Sequence, residues 1–346
     1  MTGVQLTSRT KKRVYFVIGL LISALLVWFL FQEIDIIKLK VALQQANYWW
    51  FVPTIILIFI TMYQRAFRWK EMLAPIKKVP FSKLLAATCV GFMANNVLPL
   101  RMGEFVRAYS LSSQDKEITK SASLAAIFVE RMVFDLVALL VIFGGVLAFS
   151  LRLSEQINDQ ITAGIYLAMG IALTGLISMI ILSLHPEKTG NYLTRYLFFL
   201  PGRAKEFIRS IVLKFARGVE FLRNAKRVLS VAVQTLFIWI LMGVSNYFVF
   251  EAFGFQLPLD AAFVLLVIVS ISILIPSSPG FVGVYHAGVV WSLEIYGIER
   301  EAALSCAIAL HAVQYLVITG MGFYFLKKEH LSLKELEEEA SVGLSG

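Results

Sequence analysis

An apolar stretch that starts at Leu84 breaks into Asn95-Asn96-Val97-Leu98-Pro99-Leu100-Arg101-Met102-Gly103-Glu104-Phe105-Val106-Arg107. Two amides, a proline, a glycine and three charges stand where a membrane helix would be halfway across. Hydrocarbon offers no partner to a free peptide N–H or C=O. A helix broken at that depth must therefore be buried in protein or line a watery cavity. Each charge costs about 2.5–3.5 kcal/mol at a helix centre on insertion scales. The segment predicts a polar site enclosed within a bilayer.

Composition agrees. Of 346 residues 58% are hydrophobic and 16% charged, and apolar runs long enough to span the ~30 Å hydrocarbon core recur along the chain. The first run, Val14 to Phe31, follows Arg9, Lys11, Lys12 and Arg13. With no small-residue cleavage site after it, the run reads as a retained crossing helix and not a signal peptide. Cys89 and Cys306 lie in separate apolar runs, so neither a disulfide framework nor a metal site is expected. No Walker motif, dinucleotide glycine fingerprint, His-Glu-x-x-His or Gly-x-Ser-x-Gly occurs. The expectation is a protein without cofactor or metal that is not an enzyme.

The net charge of +9 is unevenly placed. Arg65, Arg68, Lys70, Lys77, Lys78 and Lys83 read as one loop opposed by Glu71 alone, and ten basic residues face three acids between Pro186 and Val228. The segments 32–47, 150–160, 251–260 and 297–301 instead carry four basic and eight acidic residues. This is positive-inside asymmetry and not a nucleic-acid footprint. It predicts a multi-pass protein of the cell (cytoplasmic) membrane, with cytoplasmic N- and C-termini and no nucleic-acid partner.

Parity then shapes the topology. If residues 84–98 crossed fully, the basic 186–228 loop would land outside; a re-entrant hairpin at 84–112 repairs the pattern. The expected fold is an all-α polytopic membrane protein with about six crossing helices and two re-entrant broken-helix hairpins, arranged as an inverted repeat. Residues 1–160 form the first repeat, with helices near 14–32 and 48–64, hairpin 84–112 and helix 121–150. Residues 161–328 form the second, with helices near 161–184 and 228–250, hairpin 261–297 and helix 302–326. The tail 329–346 is acidic and expected to fray. Between Arg203 and Arg227 apolar residues recur at helical spacing among lysines and arginines, an amphipathic helix suited to an anionic lipid surface. Its structural alternative is a linker covering the bundle.

Pro99-x-x-x-Gly103 and Pro279-x-x-x-Gly283 share a spacing, and Pro276 and Gly280 complete the second break. Arg101, Glu104 and Arg107 are three apart and share a helical face; an arginine fork suits a lipid phosphate, with Glu104 balancing it. Glu130, Arg131 and Asp135 lie about three turns into their helix, with Arg131 and Asp135 spaced to pair. His286, His311 and Gln314 follow the second break, and Asn95 and Asn96 precede the first. These are the candidate substrate-binding residues. The structural alternatives are interfacial anchors, a buried ion pair, hydrogen-bonded neutral histidines and helix caps.

Asn96-Val97-Leu98-Pro99-Leu100-Arg101-Met102-Gly103-Glu104-x-x-Arg107, Glu130-Arg131…Asp135 and Pro276…Pro279-Gly280…Gly283 resemble the flippase-like membrane family that includes the transmembrane region of lysylphosphatidylglycerol synthases. The family also holds stand-alone bacterial and archaeal members, some linked to hopanoids or glycolipids, and the resemblance spans about residues 14–326. It implies nucleotide-independent movement of a lipid or lipid-linked molecule between leaflets, through a polar cavity between the hairpins. The alternatives are an intramembrane accessory or enzyme of glycolipid or head-group biosynthesis, and a scaffold for such an enzyme. A second copy or a biosynthetic enzyme remains open as partner. Nothing after Lys328 matches the synthases' aminoacyl-transferase domain, and His286 stands where many relatives carry an acid.

Overall fold

Apolar runs bounded by prolines, glycines and charge clusters set the helices. The computed structural model describes residues 8–32, 34–150, 170, 174–175, 177–196 and 202–336, and every regular element among them is helical. Three helical stretches, Tyr48–Leu73, Ala225–Ala252 and Arg300–Lys328, are long and apolar enough to cross a membrane. Leu25, Leu229 and Leu316 leave more than 60% of their surface exposed, as suits helices that face lipid. The chain is an all-α polytopic membrane protein. Contacts sort it into two units, one of Met1–Thr61, Cys89–Gly103 and Ile240–Gly346, the other of Met62–Thr88 and Glu104–Trp239.

The first unit holds α1 (Ser8–Phe31), α2 (Ile36–Gln45), the start of α3 (Phe51–Leu73), the end of α4 (Phe81–Val97) and the later part of the chain. Residues 32–47 are not the loop expected. Asp35 caps α2 by accepting from the backbone of Ile37 and Lys38, and α2 turns 91° away from α1. Leu39 and Leu43 pack into the unit's core with Phe250, Leu265, Leu293, Leu304 and Leu310. That core is built by the end of α10 (Ala225–Ala252) with α11 (Leu259–Ser272), α12 (Val284–Glu294) and α13 (Arg300–Lys328). α11 and α12 fold back on each other, and Gly288 permits it: a Cβ there would stand 2.7 Å from Ser272 Oγ.

The second unit holds the rest of α3 and α4, α5 (Gly103–Gln114) from Glu104 on, α6 (Lys120–Val129), α7 (Leu136–Ser150), α8 (Pro186–Tyr196), α9 (Gly202–Gly218) and the first half of α10. A π-helical turn, Glu130–Asp135, joins α6 to α7. Lys83 Nζ, near the start of α4, donates to the Gln114 carbonyl at the end of α5 (2.8 Å). In the loops beside them, Lys77 pairs with Asp115 at 3.0 Å and with Glu117 at 2.9 Å. The expected helix 203–227 is divided: α9 stops at Gly218 and a 3-10 turn, Glu220–Arg223, precedes α10. The turn lets α9 pack against α6, with Ala216, Val219 and Leu222 buried while Lys214 and Arg217 stay exposed. The expected helix 161–184 lies largely outside the described residues, as does the tail beyond 336.

One expectation fails clearly. Arg65 and Arg68 do not sit in a cytoplasmic loop. α3 continues to Leu73 and buries both arginines with Trp69, near the acids Glu130 and Asp135 of the π-helical turn.

Candidate functional site

In the first unit the two breaks meet, the short turns Pro99–Arg101 and Pro279–Phe281 lying in contact. Proline starts each turn, and Pro99 follows the end of α4 by two residues. Every break frees backbone groups, and side chains take several of them up. Asn95 Oδ1 accepts from Gly103 N–H at 2.7 Å, and Ser23 Oγ accepts from Ser278 N–H at 2.8 Å. His286 Nδ1 accepts from Gly283 N–H at 3.3 Å, the reach-back of a capping box. Arg101 Nη1 donates to the Ile273 carbonyl at 2.9 Å, and His311 bonds to the Gly280 backbone. Asn96 Nδ2 donates to Thr319 Oγ1 at 2.9 Å.

The geometry leaves little slack. A Cβ on Gly103 would strike the Gly91 carbonyl, and one on Gly280 would lie 2.8 Å from the Tyr315 ring. Arg101 (φ 53°) and Phe281 (φ 61°) adopt left-handed backbone conformations without being glycine, each costing on the order of 1 kcal/mol or more. Around the second break the His311 ring stacks on Tyr285 (4.5 Å) and meets His286 edge-on (4.8 Å), while Tyr285 Oη donates to Gln314 Oε1 at 3.2 Å. Pro276 lies on the approach to this break.

In the second unit lies a buried ion network. Arg68 Nη2 sits 2.8 Å from Glu130 Oε1, and Arg68 Nη1 2.7 Å from Asp135 Oδ1. Arg107 Nη1 meets the same Glu130 oxygen at 2.9 Å, and its guanidinium lies 4.1 Å from the centroid of Trp69. Arg131 pairs with Asp135 at 3.2 Å and approaches Glu104 at 3.7 Å. Thr235 and Trp239 Nε1 complete the shell at 2.7 and 3.3 Å, and Arg65 lies within electrostatic reach of both buried acids.

Why one arginine reaches both acids follows from the π turn. At 3.6 residues per turn, positions 130 and 135 would point about 140° apart. When each N–H reaches the carbonyl five residues back, five residues roughly close a turn and both carboxylates face Arg68. Desolvating each ion costs several kcal/mol, recovered only with geometry this complete. Four arginines share three carboxylates here, and the side chains of Glu104 and Arg131 alone among the paired members stay more than a quarter exposed.

The structure thus divides the sequence candidates. Asn95, Asn96, Arg101, His286, His311 and Gln314 gather at the junction of the breaks, with Pro99, Gly103, Pro279, Gly280 and Gly283 shaping it. Glu104, Arg107, Glu130, Arg131 and Asp135 belong to the ion network. Sequence reasoning missed Arg65, Arg68 and Trp239 in the network and Ser23, Tyr285 and Thr319 at the junction. The signal for the first pair was the helical continuation of α3 through Trp69. Among the described residues no cluster of His, Cys, Asp and Glu could hold a metal ion.

No solved structure matches this chain. It is 23% identical to the glycosyltransferase AglD of Haloferax volcanii, over 98% of this chain and 59% of that protein's length. The chain thus spans well under two thirds of that relative. It is 23% identical to a UPF0104 membrane protein of Methanothermobacter thermautotrophicus, over 82% of this chain and 87% of the relative. A UPF0104 membrane protein of Methanocaldococcus jannaschii is 24% identical, over 71% and 98% respectively. The family model described as the lysylphosphatidylglycerol synthase TM region matches residues 16–322, and the chain belongs to that family.

Proposed function

We propose that the protein moves a lipid or lipid-linked molecule between membrane leaflets without nucleotide, the polar head passing the junction of the breaks while acyl chains stay in the bilayer. The observation that carries this reading is the meeting of two broken helices at a polar junction containing Asn96, Arg101, His311 and Gln314. Paired discontinuous helices are how secondary transporters build a midplane site. In this reading residues 84–112 and 261–297 are re-entrant, six helices cross the cell membrane, both termini are cytoplasmic, and no catalysis is required. The exposed bases of α9 favour an anionic leaflet.

A second reading is an accessory role in glycolipid synthesis, supported by the match along part of a protein named a glycosyltransferase. Reconstitution into liposomes with head-group-labelled lipids separates the two. Transport predicts that label which starts in the inner leaflet is lost to an impermeant external quencher faster than in protein-free vesicles. Rates no faster than in protein-free vesicles for phospholipid, glycolipid and polyprenyl-linked probes alike would discard transport and leave the accessory role.

A further inference from the structure

The bond from Arg101 to the Ile273 carbonyl ties one break to the other. Ile273 closes the C-terminus of α11, where a helix leaves carbonyls without intrahelical donors. A guanidinium there satisfies the carbonyl and offsets the negative end of the helix dipole. The same guanidinium lies over Phe281, 5.2 Å from the ring centroid. Arg101 and Phe281 are also the two non-glycine residues at these breaks with left-handed backbones. The strained residue of one tip therefore grips the strained residue of the other. Of the side chains named at the junction Arg101 is the charged one, and it is exposed.

We propose that Arg101 is a latch between the two tips and that a phosphate group releases it. This rests on the transport reading and names its substrate class, a phosphate-bearing head group. Two phosphate oxygens engage a guanidinium bidentately and with full charge, a stronger contact than one neutral carbonyl provides. When Arg101 turns to phosphate, the Ile273 carbonyl loses its donor and Phe281 loses its cation. The tips then part where the head group has docked. Docking drives opening because phosphate binds the released arginine better than the latched one.

The test follows hydrogen–deuterium exchange of peptides covering 273–284, with the protein in nanodiscs of phosphate-free diglucosyl diacylglycerol. Added phosphatidic acid should speed exchange there about fivefold or more. A response to phosphatidic acid alone assigns the phosphate to a lipid; an equal response to inorganic phosphate assigns it to a soluble group. No response to either overturns the latch. Arg101→Gln should exchange fast without ligand and ignore both additions, while peptides from 104–114 stay unchanged. Should that variant misfold, Arg101→Lys carries the test: it should respond weakly, and a full response overturns the fork. Lipid movement with an unresponsive tip refutes the latch and spares transport; a responsive tip with no lipid movement does the reverse.

Discussion

Replacing Arg68 by Met asks what the buried ion network contributes to the fold. Arg68 is fully buried and serves Glu130 at 2.8 Å, Asp135 at 2.7 Å and Thr235 at 2.7 Å. Methionine fills much of the space but donates nothing. Glu130 would keep Arg107 at 2.9 Å, and Asp135 would keep Arg131 at 3.2 Å and Trp239 at 3.3 Å. Removing one partner of a buried pair costs about 3–5 kcal/mol. Because each carboxylate retains a second partner, the lower end applies, about 3 kcal/mol, or roughly 6–12 °C in midpoint for a large domain. Arg131→Met is the control: its side chain is 27% exposed, so solvent screening limits its loss to about 1 kcal/mol. Thermal unfolding of detergent-purified protein, followed by tryptophan fluorescence, reads both. Adding Glu130→Gln to Arg68→Met should deepen the loss, since the buried Arg107 then has no carboxylate opposite it. If Arg68→Met melts no lower than Arg131→Met, the network is not a fold element and the reasoning fails.

Gly103→Ala should lower the midpoint as overpacking does, by about 1–3 kcal/mol, because the new methyl meets the Gly91 carbonyl as well as the Asn95 side chain; an unchanged melt would show that the break can open there. The hydrogen bond from Lys77 holds the Asp115 carboxyl below its usual range. Its stabilisation is therefore complete above the unfolded value of about 3.9 and is lost as pH falls through the lower folded value. Midpoints measured down the acid limb should fall less steeply in Asp115→Asn than in the parent, and identical slopes would remove the pair from the argument. Single cysteines at Ser112 and Lys120 should react with an impermeant thiol reagent only from the cytoplasmic side, and those at Asp260 and Glu299 only from outside. Reaction at position 120 from outside defeats the re-entrant hairpin.

Breaks were legible because proline, glycine and charge inside an apolar run have few physical explanations. Pro99 and Pro279 mark the two turns, and Arg131 and Asp135 pair as their spacing suggests. Arg65 and Arg68 misled because positive-inside counting treats arginine as a loop marker, whereas a buried carboxylate recruits it into the core. The π turn left no trace in sequence: Glu130 and Asp135 look mispositioned on an α-helical wheel and converge only after the helix widens. Helix α2 hid for a similar reason, since Lys38 and Lys40 gave a short helix the charge profile of a loop. Ser23 was invisible because a lone serine in an apolar helix carries no local signal of the backbone it will meet.

Breaking a helix inside a bilayer ordinarily invites water to solvate the exposed peptide groups, and a thread of water is a path for protons. Here Asn95, Ser23, His286 and Arg101 stand in for that water. Where those side chains hold the peptide groups, no thread of water is needed to solvate them, and a polar break need not be a path for protons. Removing the Ser23 hydroxyl would free the Ser278 N–H, and its first sign should be proton conductance across vesicles that hold the protein.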